Sequence, residues 1–298
     1  MIKKKLYYPL LAIIVVAIIL LVVLPFRGEP VEEEAFTPYI SAFTSGVISN
    51  QSTIRVMLVE EVSEASVNDP VQEKLFDFRP GIKGKAYWSD SRTIEFRPTE
   101  KLPAGKKYRA EFSLDEVADV SRNLKTFNFT FQTINQSYET RFNGMQAYDP
   151  QNLKYQQLLG ELHTADYAGR DEVEKMLVAF QDGEKRKITW QHDADGKTHL
   201  FRVDSVVRKE QPAAVKLQWD GSAIGAREDK QDTIRIPSLS QFEVLNISVS
   251  QYPEQSVSVV FSDPIDADQD LSGLIRLKSN TNLSYLVDGN EVKLFPGV

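Results

Sequence analysis

The 298-residue chain has no cysteine. Disulfides, thiolate nucleophiles, thiolate metal ligands and thiol redox chemistry are therefore excluded, as is a lipid-modified N-terminal cysteine. Each folded module must then be stable on a hydrophobic core alone. Positive charge is also in deficit, with 35 Lys and Arg against 42 Asp and Glu. Nucleic-acid binding and peripheral binding to anionic lipid both rest on clustered Lys and Arg, so neither is expected. No phosphate loop, dinucleotide fingerprint or nucleophile elbow occurs. No enzyme is expected, and no catalytic residue, cofactor site or metal site is assigned.

What the chain does have, first, is one long apolar run. After Lys3, Lys4 and Lys5, residues Leu6 to Leu24 carry no charge, and Tyr7, Tyr8 and Pro9 are the only interruptions. This matches the roughly 20 residues a helix needs to cross a hydrocarbon core. A cleaved secretory signal has a shorter core and a small-residue cleavage site, and Leu24-Pro25-Phe26-Arg27 offers none. Residues 1–28 are thus expected to be an uncleaved, single-pass transmembrane anchor. Lysines before the run and Glu29, Glu32, Glu33 and Glu34 after it place Met1 in the cytoplasm. The expected location is a bacterial inner membrane, with the bulk of the chain in the periplasm. Without Lys3, Lys4, Lys5 and Arg27, 31 basic groups face 42 acidic ones, an exported charge of about −11. Asn-x-Ser/Thr triplets at Asn50, Asn128, Asn135, Asn246 and Asn282 are read as chance.

Residues 29–36 read as an acidic spacer. Beyond them the dominant pattern is short alternation with period two, the mark of half-buried strands. It runs through Ile54–Val59, Leu75–Arg79, Thr93–Arg97, Tyr108–Leu114 and Phe127–Phe131. Turns at Pro80-Gly81, Ser89-Asp90 and Pro103-Ala104-Gly105 separate these runs, which predicts a β-sandwich over 37–134. A second β module is expected over 135–241. Its clearest piece is the hairpin Lys187–Gln191, Asp193–Gly196, Thr198–Val203, with Asp-Gly at the turn; Val215–Trp219 and Thr233–Pro237 add strands. Asp171 to Phe180 has helical spacing of Val173, Met176, Leu177 and Phe180 with Asp171 as cap, although Val173–Phe180 also fits a strand.

Residues 242–298 repeat the start of the first module. Asn50–Val56 aligns with Glu254–Val260, Leu75–Phe78 with Leu274–Leu277, and Arg92–Pro98 with Asn290–Pro296. Three matches in one order indicate a duplicated module. The first copy has two further strands after Pro98, so the second is expected to be incomplete at Val298, with an uncovered core face and missing strands in a longer protein.

Side chains that suggest chemistry have plainer readings. His192 and His199 flank the hairpin turn with Asp193 and Asp195 between them, and His163 lies elsewhere; a zinc site needs a third or fourth ligand. Asp266, Asp268 and Asp270 alternate as in a calcium loop, but Leu271 and Leu277 stand where that loop needs glycine and glutamate. Glu60-Glu61 reads as solvated surface, and Trp88, Trp190 and Trp219 as core.

Two stretches carry a family resemblance. Leu102-Pro103-Ala104-Gly105-Lys106-Lys107-Tyr108, ending in Phe127-Asn128-Phe129-Thr130-Phe131-Gln132-Thr133, resembles the end of a bacterial Ig-like domain. Gln255–Val257 through Phe261-Ser262-Asp263-Pro264-Ile265-Asp266 resembles its opening strand and turn. The order of anchor, Ig-like module, middle β module with Trp190–His199, and second Ig-like module is similar to the N-terminal part of bacterial α2-macroglobulins of the Bacteroidetes type. That resemblance implies an all-β chain of tandem Ig-like, macroglobulin-type β-sandwiches after a single N-terminal transmembrane helix. It also implies the anchoring and scaffold segment of a periplasmic protease-trapping protein, an endopeptidase inhibitor whose bait and thioester parts are not in this chain. Its partners would be the membrane, through residues 6–24, and proteases, through other regions. The alternative is a generic cell-envelope Ig-like protein for adhesion, spacing or glycan binding. A monomer is expected in either case.

Overall fold

The computed structural model describes residues 33–63, 67–276 and 283–296. The proposed anchor at 6–24 lies outside them; no helix among the described residues is long and apolar enough to cross a membrane. The chain is all-β. Its described residues fall into two compact units. One holds those up to Thr44 with Thr53–Arg97 and Arg109–Phe129; the other holds Ser45–Ser52, Pro98–Tyr108 and everything from Thr130 onward.

Eight strands form in the region read as the first module. They are β1 (Ile40–Phe43), β2 (Gly46–Ile48), β3 (Ile54–Leu58), β4 (Phe76–Arg79), β5 (Gly84–Trp88), β6 (Thr93–Pro98), β7 (Lys107–Ser113) and β8 (Thr126–Thr133). Their sheet orders are β1-β3-β6-β5 and β2-β8-β7-β4. In the first unit, Ile54 pairs with Phe96 and Val56 with Ile94, so alternation puts all four on one face, where all are buried. Phe78 lies 4.7 Å from Phe96 and Phe76 lies 5.1 Å from Phe112, ring to ring. Side chains of this size contribute about 1.5–3 kcal/mol each when fully buried. Phe36 is only 4% exposed and sits 5.0 Å from Phe127. The acidic spacer therefore does not extend to residue 36: its last aromatic belongs to the core.

The second unit contains β9 (Tyr138–Asp149), β10 (Asn152–Thr164), helix α1 (Arg170–Met176), β11 (Leu177–Gln181), β12 (Glu184–Arg186), β13 (Ile188–His192), β14 (Thr198–Val207), β15 (Ala213–Trp219) and β16 (Lys230–Ile236). The sheets are β13-β14-β10-β9 and β12-β11-β15-β16. Between them pack Leu158, Leu162, Phe201 and Val203 with Ala179, Val215, Leu217 and Trp219. The helix expected over 171–180 ends at Met176, and 177–181 form a strand. Both readings of that stretch were partial, because a pattern with apolar residues at 176, 177 and 179 suits either period. The helix begins two residues earlier than a cap at Asp171 implies: Gly169 precedes it, and its amide donates to the Glu172 carboxylate at 3.1 Å.

The same unit ends in β17 (Val244–Ser250), β18 (Ser256–Phe261), β19 (Leu283–Asp288) and β20 (Glu291–Pro296), ordered β17-β18-β20-β19. This is the order of β1-β3-β6-β5. The register corrects the alignment by one residue. Val257 pairs with Leu294 and Val259 with Val292, so Ile54 and Val56 correspond to Val257 and Val259, not to Ser258 and Val260. A one-residue slip would turn the apolar set to the other face. Leu274–Leu277, expected as the counterpart of the Leu75–Phe78 strand, forms no strand over its described residues 274–276: Leu274 is 69% exposed and Ile275 makes an isolated bridge to Ser272.

Candidate functional site

The most heavily built polar site lies where β14 ends, around Arg208. Its side chain is 0% exposed. Nε donates to Pro237 O at 3.3 Å. Nη1 donates to Ser262 O at 3.0 Å and Asp263 Oδ1 at 2.8 Å. Nη2 donates to Ser238 O at 2.7 Å, Gln241 O at 3.2 Å and Asp263 Oδ2 at 3.3 Å. All five guanidinium N–H groups thus find acceptors, and the carboxylate is gripped from two nitrogens. Ser262 completes the knot: its single hydroxyl proton is shared between Asp263 and Gln241 O, and its oxygen accepts from the Glu243 amide at 2.9 Å. Asp263 is the second residue after β18, so one side chain after β14 holds the 237–241 connection and the turn after β18 together.

A second set of contacts runs alongside. Asn290 Nδ2 donates to Met145 O and to Phe261 O, each at 2.6 Å. Gly144 has φ of +135°, and a Cβ there would lie 2.6 Å from Val260 Cγ1. Glycine is needed because β9 approaches β18 too closely for a side chain.

Asp166 forms a comparable node at the other end of β10. Its carboxylate accepts from Ser49 Oγ and the Asn50 amide, both at 2.6 Å, and from the Tyr167 amide at 2.9 Å. Gln136 bonds its backbone at both ends, at 3.0 Å each. Ser49 and Asn50 belong to the same compact unit as Asp166.

The residues that suggested metal chemistry have other partners. His192 Nδ1 and His199 Nδ1 are 2.9 Å apart, and His192 Nε2 is 3.3 Å from Glu174 Oε1 on α1. With the His192 proton on Nε2 and donated to Glu174, His192 Nδ1 accepts from His199 Nδ1–H, which leaves His199 Nε2 unprotonated. That nitrogen is buried without a partner. Burial, and then the neighbouring His192, push the His199 pKa down to about 4. Asp195 accepts the Lys197 and Thr198 amides at 2.8 and 3.0 Å and so closes the hairpin turn. His163 faces Glu161 instead, at 2.6 Å. In the aspartate loop, Asp266 accepts the Asp268 amide, while Asp270 accepts the Ser272 amide and the Tyr285 hydroxyl. Trp88 and Trp219 are core, the latter donating Nε1–H to Asp232 at 2.9 Å; Trp190 is half-buried and stacks on His192. Glu60 and Glu61 are exposed.

Arg208 and Asp166 carry no sequence signal. Arg208 stands beside Lys209 and Glu210 and reads as one more charge at a strand end. Asp263 alone lies in a stretch already marked, the Phe261–Asp266 turn.

Residues 36–133 match the family model of a bacterial Ig-like domain. Among curated proteins, no sequence matches this chain. Solved structures give weak likenesses. The full ectodomain (Ig1–Ig3) of mouse nectin-like molecule 4 is 11% identical, over 85% of this chain and 87% of that one, with a TM-score of 0.28. L,D-transpeptidase 3 from Mycobacterium tuberculosis is 11% identical, over 58% and 77%, with a TM-score of 0.24. Such scores assign nothing to this chain. What is established is an all-β chain that carries a bacterial Ig-like domain at residues 36–133.

Proposed function

We propose that the chain is a membrane-tethered spacer of the bacterial envelope, a non-enzymatic arm of β modules held in the periplasm by residues 6–24. The observation that carries this reading is the Arg208 knot. A buried guanidinium with all its donors used turns a flexible connection into a fixed one, as a spacer requires and an adaptable binding loop does not. The finer reading makes the chain the anchoring scaffold of an α2-macroglobulin-like protease trap. It rests on the order of anchor and modules and on the Ig-like match at 36–133.

The tether is tested on the chain's own cysteine-free background. A single cysteine introduced at Ser63, expressed in a bacterium, should react with a membrane-impermeant maleimide in intact cells, and one at Lys3 only after lysis. The reverse pattern would sink the assignment. For the finer reading, an antibody raised against residues 37–298 is used on envelopes of the native host. A band far larger than 298 residues explain supports a macroglobulin; a band of about this length rules it out.

A further inference from the structure

A buried imidazole with an unused nitrogen stands behind the turn of the β13–β14 hairpin. Register pairs His199 with His192 on β13 and with Leu162 on β10. His199 is 0% exposed, and its Nε2 has no hydrogen-bond partner. His192 acts on it from β13, and Asp193 and Asp195 from the turn. Glu174 on α1 reaches His192, at 3.3 Å. On β10, Glu161 and His163 alternate to the face opposite Leu162 and pair with each other. A second proton on the His199 ring is therefore a buried charge with no acceptor at its Nε2.

The hairpin turn is also what the Asp166 node rests on. The Thr164 amide donates to Lys197 O and the Ala168 amide to Gly196 O, each at 2.9 Å. Gly196 has φ of +63°, and a Cβ there would run into the Tyr167 ring, which lies directly on its backbone. Beyond this contact, Tyr167 O accepts from Asn50 Nδ2 at 3.0 Å, and the Asp166 carboxylate holds Ser49 and the Asn50 amide. Residues 164–168 are thus clasped between the turn on one side and Ser49 and Asn50 on the other. All of these residues belong to one compact unit. The Gly196 carbonyl is the backbone group that favours a charged His199. Drawn towards the imidazolium, it leaves the Ala168 amide without its acceptor.

We propose that the hairpin turn and residues 164–168 form an acid-sensitive latch on the Ser49–Asn50 segment. With His199 neutral the latch is closed. A proton on Nε2 opens it by pulling the Gly196 carbonyl away from Ala168 and lifting the turn off Tyr167, and Asp166 and Tyr167 then release Ser49 and Asn50. The opening is local: Leu158, Val203, Leu217 and Trp219 stay packed in the sandwich core. The connection at this end is fixed at neutral pH and movable in acid.

Hydrogen exchange of the full chain in nanodiscs, taken as protection factors so that the intrinsic pH dependence drops out, tests this at pH 7.5 and pH 5.5. His199 titrates at about 4 in the closed form against 6.5 when released, so protection of the Asn50, Tyr167 and Ala168 amides should fall about tenfold over that step. Because local opening exposes little surface, that protection should not change in about 1 M urea, whereas protection of β11 and β15 amides should fall. His199→Gln should remove the pH dependence at all three amides, and His163→Gln should leave it intact. A second measurement needs no variant: the 15N shift of His199 Nε2 must report an unprotonated nitrogen at pH 5.5. Unchanged protection, a pH dependence that survives His199→Gln, a urea response equal to that of β11 and β15, or a protonated Nε2 each overturns the proposal.

Discussion

The sheets β1-β3-β6-β5 and β17-β18-β20-β19 share a strand order and a register between their central strands, yet they are held by different means. Around the first, aromatic rings of β4, β7 and β8 fill the inward face, and Phe112 among them is fully buried. The second packs on a small core in which Val292 is fully buried and Val259, Leu294 and the loop residue Leu271 nearly so, and its firmest attachments are polar: the Arg208 knot after β18 and the Asn290 bridge to Met145 and Phe261. Strand pairing alone thus sets the topology, while what covers the sheet decides where its stability resides. Hydrophobic burial is tolerant of small shifts; a buried guanidinium is not, because each unmet acceptor is a cost.

Cutting each support in turn should break the two sheets separately. Phe112→Ala leaves a cavity in the first and should destabilise it by about 3–5 kcal/mol. Arg208→Met strands the Asp263 carboxylate and the carbonyls of Ser238 and Ser262, an effect of about 3–5 kcal/mol for a buried pair broken on one side. Hydrogen exchange checks both. In Phe112→Ala, amides of β3 and β6 should lose protection while those of β18 and β20 keep it, and in Arg208→Met the pattern should reverse. If Arg208→Met exposed all four strands equally, the two supports would not be independent.

Gly144→Ala sharpens the same point with a smaller perturbation. The methyl group would meet Val260 on a backbone at φ +135°, so overpacking and strain combine, at about 1–3 kcal/mol. The urea midpoint should fall. The double variant Gly144→Ala with Val260→Ala should recover part of the loss, because the clash goes and the strain stays. No recovery would mean that backbone conformation alone sets the requirement for glycine.

How much of this is legible in the sequence depends on which force is at work. Period-two alternation exposed β3, β4, β6, β7 and β8, and the Asp195-Gly196 turn exposed the β13–β14 hairpin, because burial on one face leaves a local mark. β9 and β10 escaped notice: both are long and shift register at bulges, and the polar run Glu139–Arg141 hides the pattern. The repeat was visible, but the slide of one residue at 254–260 was not, since serines and valines alternate there on both faces. The Arg208 and Asp166 nodes were invisible. Their partners lie 55 residues away at Asp263 and 117 residues away at Ser49, and nothing in a lone charge predicts so distant a carboxylate or hydroxyl.

The smallest expected effect concerns the His192–His199 pair, and it lies apart from both sheets being compared. His199 titrates at about 4 in the fold against an ordinary value of 6.5. Between these values the unfolded chain binds a proton that the folded chain refuses, so stability must fall as pH drops from about 6.5 towards 4 and is fully present above that window. His192 on β13 and Asp193 and Asp195 in the turn act on His199 directly, while Glu174 on α1 and Trp190 contact His192; protonating His199 places the new proton on the buried Nε2, which has no acceptor. Comparing urea midpoints at pH 7.5 and pH 5.5 keeps most carboxylates ionised throughout. The wild-type chain should lose stability over that step, and His199→Gln should lose less. Equal losses in both would place the titration elsewhere, and loss confined to amides of β3 and β6 would tie it to the first sheet, where no histidine stands.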